Sequence, residues 1–444
     1  MEQNVYINPE IATWSKLCKR PAFDYATLNE IVQPILLDVK ANGDAAVRKY
    51  ATQFDHVKLD NIWVTKNEML AAALLVSEEL KAAIQLALDN ISRFHLSQVE
   101  QSKIVETATG VHCWRKSLGI QNVGLYIPGG TAPLFSTLLM LAIPAKIAGC
   151  KNIIVSTPTN SKGEVNPIVL FTARLLGLTK IYKVGGVQAI AAMAFGTETM
   201  TPMYKIFGPG NQYVTAAKQL VNSMGVAIDM PAGPSELAVY ADETANPTFV
   251  ASDLLSQAEH GADSQVVLVA SSEDLVDAVQ EQINLQVQAL PRASIASQAL
   301  KNSRFIVMDD AANAFAFLNM YAPEHLIIAS AHADELAEKV LNAGSVFLGN
   351  YSPESAGDYA SGTNHTLPTN GYAKAYSGVS VDSFVKKITF QQLTSEGLQQ
   401  IGPAIEAMAE AEGLQAHKNA VSIRLKSLQQ MPLNEELKND NNNA

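Results

Sequence analysis

From about residue 120 the chain repeats one unit: a short apolar strand, a glycine-containing turn and an apolar helix. The change of texture begins at Val111. Residues 124–127 run into Pro128-Gly129-Gly130-Thr131 and a helix to Ala148, Asn152–Ser156 precedes a helix over about 165–176, and 180–184 is followed by Gly185-Gly186 and a helix over 187–195. A strand that regains its sheet through a helix returns parallel, so this pattern predicts a parallel α/β sheet. A second run, 237–240, Gln265–Ala270, Arg304–Val307 and His325–Ala329, predicts a second sheet, and the Pro- and Gly-rich stretch 229–236 reads as the crossing between the two. Helical periodicity over about 25–51 and 69–94 adds two helices, which are assigned to the second run and make that domain discontinuous. The expected fold class is α/β: two α/β domains with incomplete Rossmann-like parallel sheets plus small N- and C-terminal arms. The expected boundaries are an arm at 1–22, one domain at 23–107 and 237–372, the other at 108–236, and a dimerising C-terminal arm at 373–444.

At 444 residues the chain exceeds what one core supports, and 48% apolar with 17% charged residues fits a globular enzyme rather than a disordered chain. A formal charge of −11 and a pI near 5.3 argue against nucleic acid and an anionic membrane as partners, because both are polyanions. The start, Met1-Glu2-Gln3-Asn4-Val5, lacks signal-peptide features, so export by that route is not expected. The most apolar stretch, 134–143, stops at Pro144 after about half the length that spans a bilayer. Cys18, Cys113 and Cys150 show no CxxC spacing, so neither a disulfide framework nor a thiolate zinc site is expected, and Cys113 and Cys150 read as small core residues. The expected compartment is reducing cytoplasm.

Polar and titratable residues gather in a few places. Gln257 and His260 stand three apart, so on a helix an amide oxygen and an imidazole leave one face and can converge on a cation. Two neutral ligands still need a carboxylate; the plainer alternative is the polar end of an amphipathic helix, with Gly261 as its C′ residue. Gly208-Pro209-Gly210-Asn211 begins a dinucleotide fingerprint but has Tyr213 where the third glycine would stand. The glycine pairs 129/130 and 185/186 fall at strand carboxyl ends, where parallel sheets bind ligands, although glycines there also serve plain turns. Gln188 and Asn211 are the polar groups best placed to meet a nucleotide. After Pro323, Glu324 and His325 offer two bases that one pocket can share only if the backbone bends, since strand neighbours face opposite ways; otherwise they form an ion pair where the strand starts. The long loop 352–368 contains the missing carboxylate, Asp358, and a glycosylation sequon at Asn364 that a cytoplasmic chain does not use. Glu412 and His417 are about 140° apart round a continuous helix and converge only if it breaks at Gly413.

With these segments in order, the chain resembles the histidinol dehydrogenase family nearly end to end. The carriers are the segments 185–192, 207–211, 255–261 and 322–326 together with Asp229-Met230-Pro231-Ala232-Gly233-Pro234-Ser235-Glu236, Ala356-Gly357-Asp358-Tyr359, Gly362-Thr363-Asn364-His365-Thr366-Leu367-Pro368 and Glu412-Gly413-Leu414-Gln415-Ala416-His417. The resemblance implies one zinc ion per subunit on Gln257, His260, Asp358 and His417, with substrate nitrogens completing the shell. It implies acid/base roles for Glu324 and His325, with His325 accepting the alcohol proton and Glu324 activating water. Substrate contacts are implied for Ser235, His365 and Glu412 as well as for the ligands and His325, and NAD contacts for Tyr126, Gln188 and Asn211. The implied reaction takes L-histidinol through histidinal to L-histidine with two hydride transfers to NAD. The implied assembly is an intertwined homodimer with shared active sites. Lys374-Ala375 departs from the usual family pattern outside these positions. A zinc hydrolase and a non-catalytic nucleotide-binding protein are the alternatives: the first would not need the glycine-rich domain, the second would not need Glu324 and His325.

Overall fold

A computed structural model of the protein describes residues 4–21, 25–129, 134–231 and 233–430. Gly130 and Thr131 of the first glycine turn, Ala232 of the crossing and the polar tail 438–443 lie outside the described residues. The chain forms two compact units, one of residues up to 99 with 119–384, the other of 100–118 with 385 onward.

The first unit holds two wholly parallel sheets. One has five strands in the order Ile181–Tyr182, Asn152–Ser156, Asn122–Tyr126, Lys205–Phe207, Ala227–Ile228. The other has six, in the order Val5–Ile7, Arg304–Val307, Gln265–Ala270, Glu236–Ala241, His325–Ala329, Ser345–Leu348. Strands such as Gln265–Ala270 are buried at every residue because helices cover both faces, which is why they read as unbroken apolar runs. Pro247–Ala258, Glu273–Gln286 and Ala293–Lys301 pack on one face of the six-stranded sheet, and Ile11–Leu17 with Ala311–Tyr321 on the other. The expected N-terminal arm is thus part of a sheet: Val5–Ile7 is its edge strand, and Trp14 and Leu17 are core.

Three expectations change. The early helices, assigned to the six-stranded sheet, pack on the five-stranded one instead. Leu28, Val32, Leu36 and Val39 of Tyr25–Phe54 meet Ile190 and Ala194 of Gly186–Phe195, while Ile84 and Ile91 of Glu78–Leu96 meet the helix Phe135–Ile147. The reason is that Gly186–Phe195 is buried from Val187 through Ala194, and a helix apolar all round needs a cover on its outer side. Second, the N-terminal segment is not a separate arm, whereas the helix expected to reach Ala148 does run through Pro144 to Ile147. Third, the strand at Val111 belongs to the second unit, where Val111–Gly119 pairs antiparallel with Val105–Ala108 and lies beside Val385–Leu393. That unit adds the helices Ser395–Ala411 and Gln415–Gln430, the latter with no buried residue. Among the described residues no helix is long and apolar enough to cross a membrane.

Candidate active site

The crossing 229–235 joins Ala227–Ile228 of one sheet directly to Glu236–Ala241 of the other. The carboxyl edge of the five-stranded sheet therefore meets the amino edge of the six-stranded sheet, and a cavity of about 120 Å³ at the junction is lined by Gly208, Asp229, Ser235, Glu324 and His365 among others. Ala322 adopts a left-handed conformation (φ 54°), and this bend before Pro323 delivers Glu324 just ahead of the strand that starts at His325. Glu324 and His325 then converge: Nδ1 of His325 lies 3.7 Å from Glu324 Oε2. The Glu236 N–H donates to the same Glu324 oxygen at 3.0 Å. Glu236 is itself buried beneath Arg20, which donates to both of its carboxylate oxygens.

Two more carboxylates surround His325. Glu354 Oε1 stands 3.7 Å from its Nδ1, and Asp358 Oδ1 3.7 Å from its Nε2. Burial alone would lower the imidazole, but Glu354, Glu324 and Asp358 outweigh it and hold His325 up at about 10. Burial pushes Glu324 up to about 7, against the pull of His325, and raises Glu354 in the same way. The cluster therefore keeps a proton at neutral pH among groups close enough to exchange it. Asp358 sits not on an open loop but on the short helix Glu354–Tyr359. Glu354 was missed by sequence reasoning, although it lies in the long segment singled out for Asp358.

His260 is brought to this cluster, and Gln257 lies three residues before it on a helix that packs against Glu354–Tyr359. The helix ends at Ala258, and His260 stands in the closing turn, its N–H donating to the Gln257 carbonyl at 3.2 Å. Ligand atoms of His260, Glu354 and Asp358 all lie within 4.8 Å of one another. Gln257 is 1% exposed, and both its amide oxygen and its amide nitrogen lack a hydrogen-bond partner among the described residues. An orphaned buried amide costs about 1–3 kcal/mol, so this side chain suits a missing ligand. An amide oxygen, an imidazole and a carboxylate together form a donor set that fits zinc. Glu412 and His417 belong to the second unit and are exposed there. The helix break expected between them is present: Gly413 is left-handed (φ 71°) and the Leu414 N–H donates to the Ala409 carbonyl at 2.8 Å, closing a Schellman turn.

His365 is fixed by two bonds. Its Nδ1 lies 2.9 Å from the Asp358 carbonyl oxygen and its Nε2 3.1 Å from the Thr137 hydroxyl.

Tyr126, Gln188 and Asn211 line a second cavity, of about 840 Å³, with Asp55, Gly129 and Pro158. It lies at the carboxyl ends of Asn122–Tyr126 and Lys205–Phe207, where strand order reverses and parallel sheets open a crevice. The Tyr126 hydroxyl accepts from the Gly186 N–H at 3.0 Å, and Asn211 caps the helix Gln212–Ser223 by accepting from the Tyr213 and Val214 N–H groups. Gly208 (φ 123°) packs so closely that a Cβ would strike the Tyr126 carbonyl. Gln188 is 1% exposed and its Oε1 has no partner among the described residues. Two helix amino termini and a free buried acceptor suit the phosphates and an amide or hydroxyl of a dinucleotide.

The sequence model of the family Histidinol dehydrogenase matches residues 18–425. The histidinol dehydrogenase of Bacteroides thetaiotaomicron is 59% identical over 420 residues, covering 95% of this chain and 98% of that protein. The chloroplastic histidinol dehydrogenase of Arabidopsis thaliana is 51% identical over 416 residues, covering 93% and 89%. The crystal structure of histidinol dehydrogenase from Elizabethkingia anophelis superposes with a TM-score of 0.95 at 58% identity, over 96% of this chain and 99% of that one. Full-length matches of this strength leave one assignment: the chain belongs to the histidinol dehydrogenase family.

Proposed function

We propose that the protein oxidises L-histidinol to L-histidine through histidinal, with two successive hydride transfers to NAD, in the cytoplasm. The observation that carries the reading is the buried His325 among three carboxylates, one of which, Asp358, groups with His260, three residues after a buried amide, Gln257, that has no partner among the described residues. Gln257, His260 and Asp358 would hold one zinc ion per subunit, with His417 of a second copy and the substrate's nitrogens completing its shell. The metal would supply a template that orients the amino alcohol. NAD, held by Tyr126, Gln188 and Asn211, would supply the acceptor for each hydride.

The chain's own groups do the proton work. His325 passes the proton it holds at neutral pH to Glu354, 3.7 Å from its Nδ1, and takes the alcohol proton, the neighbouring carboxylates stabilising the imidazolium that results. Glu324, raised to about 7, then serves as the base that draws a proton from water adding to the aldehyde. Once the neighbouring carboxylates have carried the first proton away, His325 accepts the proton of the hydrate in the second oxidation. Ser235, His365 and Glu412 would contact the substrate and fix its orientation across both steps.

The test is to incubate the protein with L-histidinol and NAD and to measure NADH and histidine. Two NADH per histidine, lost on chelation and restored by zinc, is the expected result. Full activity in metal-free protein would remove the zinc reading, and no NADH at all would remove the function.

A further inference from the structure

Two neighbouring side chains of the segment 364–366 dock on one face of the helix Phe135–Ile147, and Pro144 explains why. Proline has no N–H, so Pro144 cannot donate to the carbonyl of Met140 one turn earlier. That carbonyl is buried and would be an orphan acceptor. Asn364 Nδ2 fills the gap, donating to Met140 O at 2.6 Å. The other Asn364 contacts fit this orientation: Oδ1 accepts from the Thr366 N–H at 3.0 Å, and Nδ2 also faces His95 Nε2 at 3.3 Å. His95 must then be neutral with its proton on Nδ1, which donates to the Ile91 carbonyl at 2.9 Å.

Between these anchors sits His365. A carbonyl oxygen only accepts, so the contact with Asp358 O requires the proton on His365 Nδ1, and Nε2 accepts from the Thr137 hydroxyl. Thr137 and Met140 are three apart and share a helix face. The helix thus holds the ring through Thr137 and the backbone beside it through the carbonyl that Pro144 frees.

We propose that Asn364, seated on that carbonyl, is the positioning residue for His365, holding the Nδ1–H tautomer so that the unprotonated Nε2 accepts from an O–H or N–H of the substrate once the Thr137 hydroxyl turns away. The inference rests on the substrate role of His365 in the proposed function. It is tested with Asn364→Ala, Asn364→Asp, which keeps the acceptor but not the donor, and the double variant Pro144→Ala/Asn364→Ala. In the double variant the backbone N–H restored at position 144 takes over Met140 O, so the packing loss is repaired without the anchor. Three quantities are read in the full-length, zinc-loaded protein: Tm, kcat/KM for histidinol, and the His365 ring shifts in [15N]histidine-labelled protein, assigned against His365→Asn.

Asn364→Ala and Asn364→Asp are expected to lower kcat/KM about 10- to 100-fold, with the KM for NAD unchanged, and to replace a single Nδ1–H tautomer of His365 by a mixture. The double variant is expected to regain Tm and to keep the kinetic and tautomer defects. Recovery of kcat/KM together with Tm would overturn the proposal, because Asn364 would then only plug a carbonyl. An unchanged tautomer in Asn364→Ala would overturn it as well. If wild-type protein made no NADH from histidinol, the proposed function would fall, and the tautomer shift alone would decide for or against Asn364.

Discussion

Replacing Arg20 by methionine is expected to cost more stability than any other single change at the junction of the two sheets. The guanidinium donates to both oxygens of Glu236 and to the Tyr321 and Ala322 carbonyls at 2.6 and 3.3 Å, and lies 3.9 Å from the centre of the Tyr321 ring. Glu236 is 2% exposed, and burial raises its carboxyl even with Arg20 in place. Methionine fills the stem's volume but leaves a buried carboxylate uncompensated, a loss of about 3–5 kcal/mol. The sign of the pH dependence follows from the same burial. With Arg20 gone the folded carboxyl titrates still further above its unfolded value, so the native state binds the extra proton and stability falls as pH rises, by at most about 1.4 kcal/mol per unit. Urea unfolding at about pH 8 and about pH 5.5, followed by the fluorescence of Trp14, which packs edge-on at 5.7 Å from Phe317, measures both effects. Arg20→Met/Glu236→Met removes the buried charge and is expected to recover more than about half of the loss. Equal losses in the single and double variants, or a single-variant loss that grows at low pH, would refute the argument.

Three further outcomes are expected. Cys113→Ser and Cys150→Ser should leave histidinal oxidation intact: burial pushes the Cys150 thiol up to about 11, so it is no thiolate at neutral pH, and its sulfur points at the Phe384 carbonyl. Loss of the second oxidation alone in a stopped-flow NADH trace would revive a thiol route. Co-refolding inactive His325→Ala with inactive His417→Ala should recover about a quarter of normal activity if the site is shared between two copies, and near-zero recovery from a mixture shown to hold heterodimers would rule the shared site out. Burial lowers His95, so its contribution to stability is complete above its unfolded value of 6.5 and declines as pH falls below it, where the unfolded chain takes the proton first. The slope of Tm between about pH 7 and about pH 5.5 should therefore flatten in His95→Gln, and an unchanged slope would contradict this account.

The parallel sheets were legible because strand, glycine turn and buried helix recur with little variation between 122 and 195, and again from 236. What periodicity withheld was the partner of each apolar face: Leu28, Val32 and Leu36 announce a buried stripe, and only the all-round burial of 187–194 indicates which sheet needs the cover. Short strands such as Lys205–Phe207 and Ser345–Leu348 carry too few residues for a pattern and stayed hidden. At the site, residue types were enough to single out Glu324, His325, Asp358 and the Gln257/His260 pair as candidates. Glu354, Arg20 and Asn364 escaped notice because their meaning lies in long-range contacts, the Asn364 contact with Met140 O spanning 224 residues. Pro144 was visible inside its helix, but the donor that replaces its missing N–H was not, because it comes from so far along the chain.

The head-to-tail meeting of the two sheets bears on any attempt to build chimeras of this protein. The crossing 229–235 is at once the hinge between two architectures and a wall of the cavity, with Asp229 accepting from the Gly208 N–H on one side and Ser235 opening the strand at Glu236 on the other. Recombination at this visible boundary would unite two sheets whose facing edges had been selected with different neighbours. Junctions near 99, 119 and 384, where the compact units change over, leave that seam whole. For a library of hybrid enzymes, the most obvious place to cut is the one place where both parents must already agree.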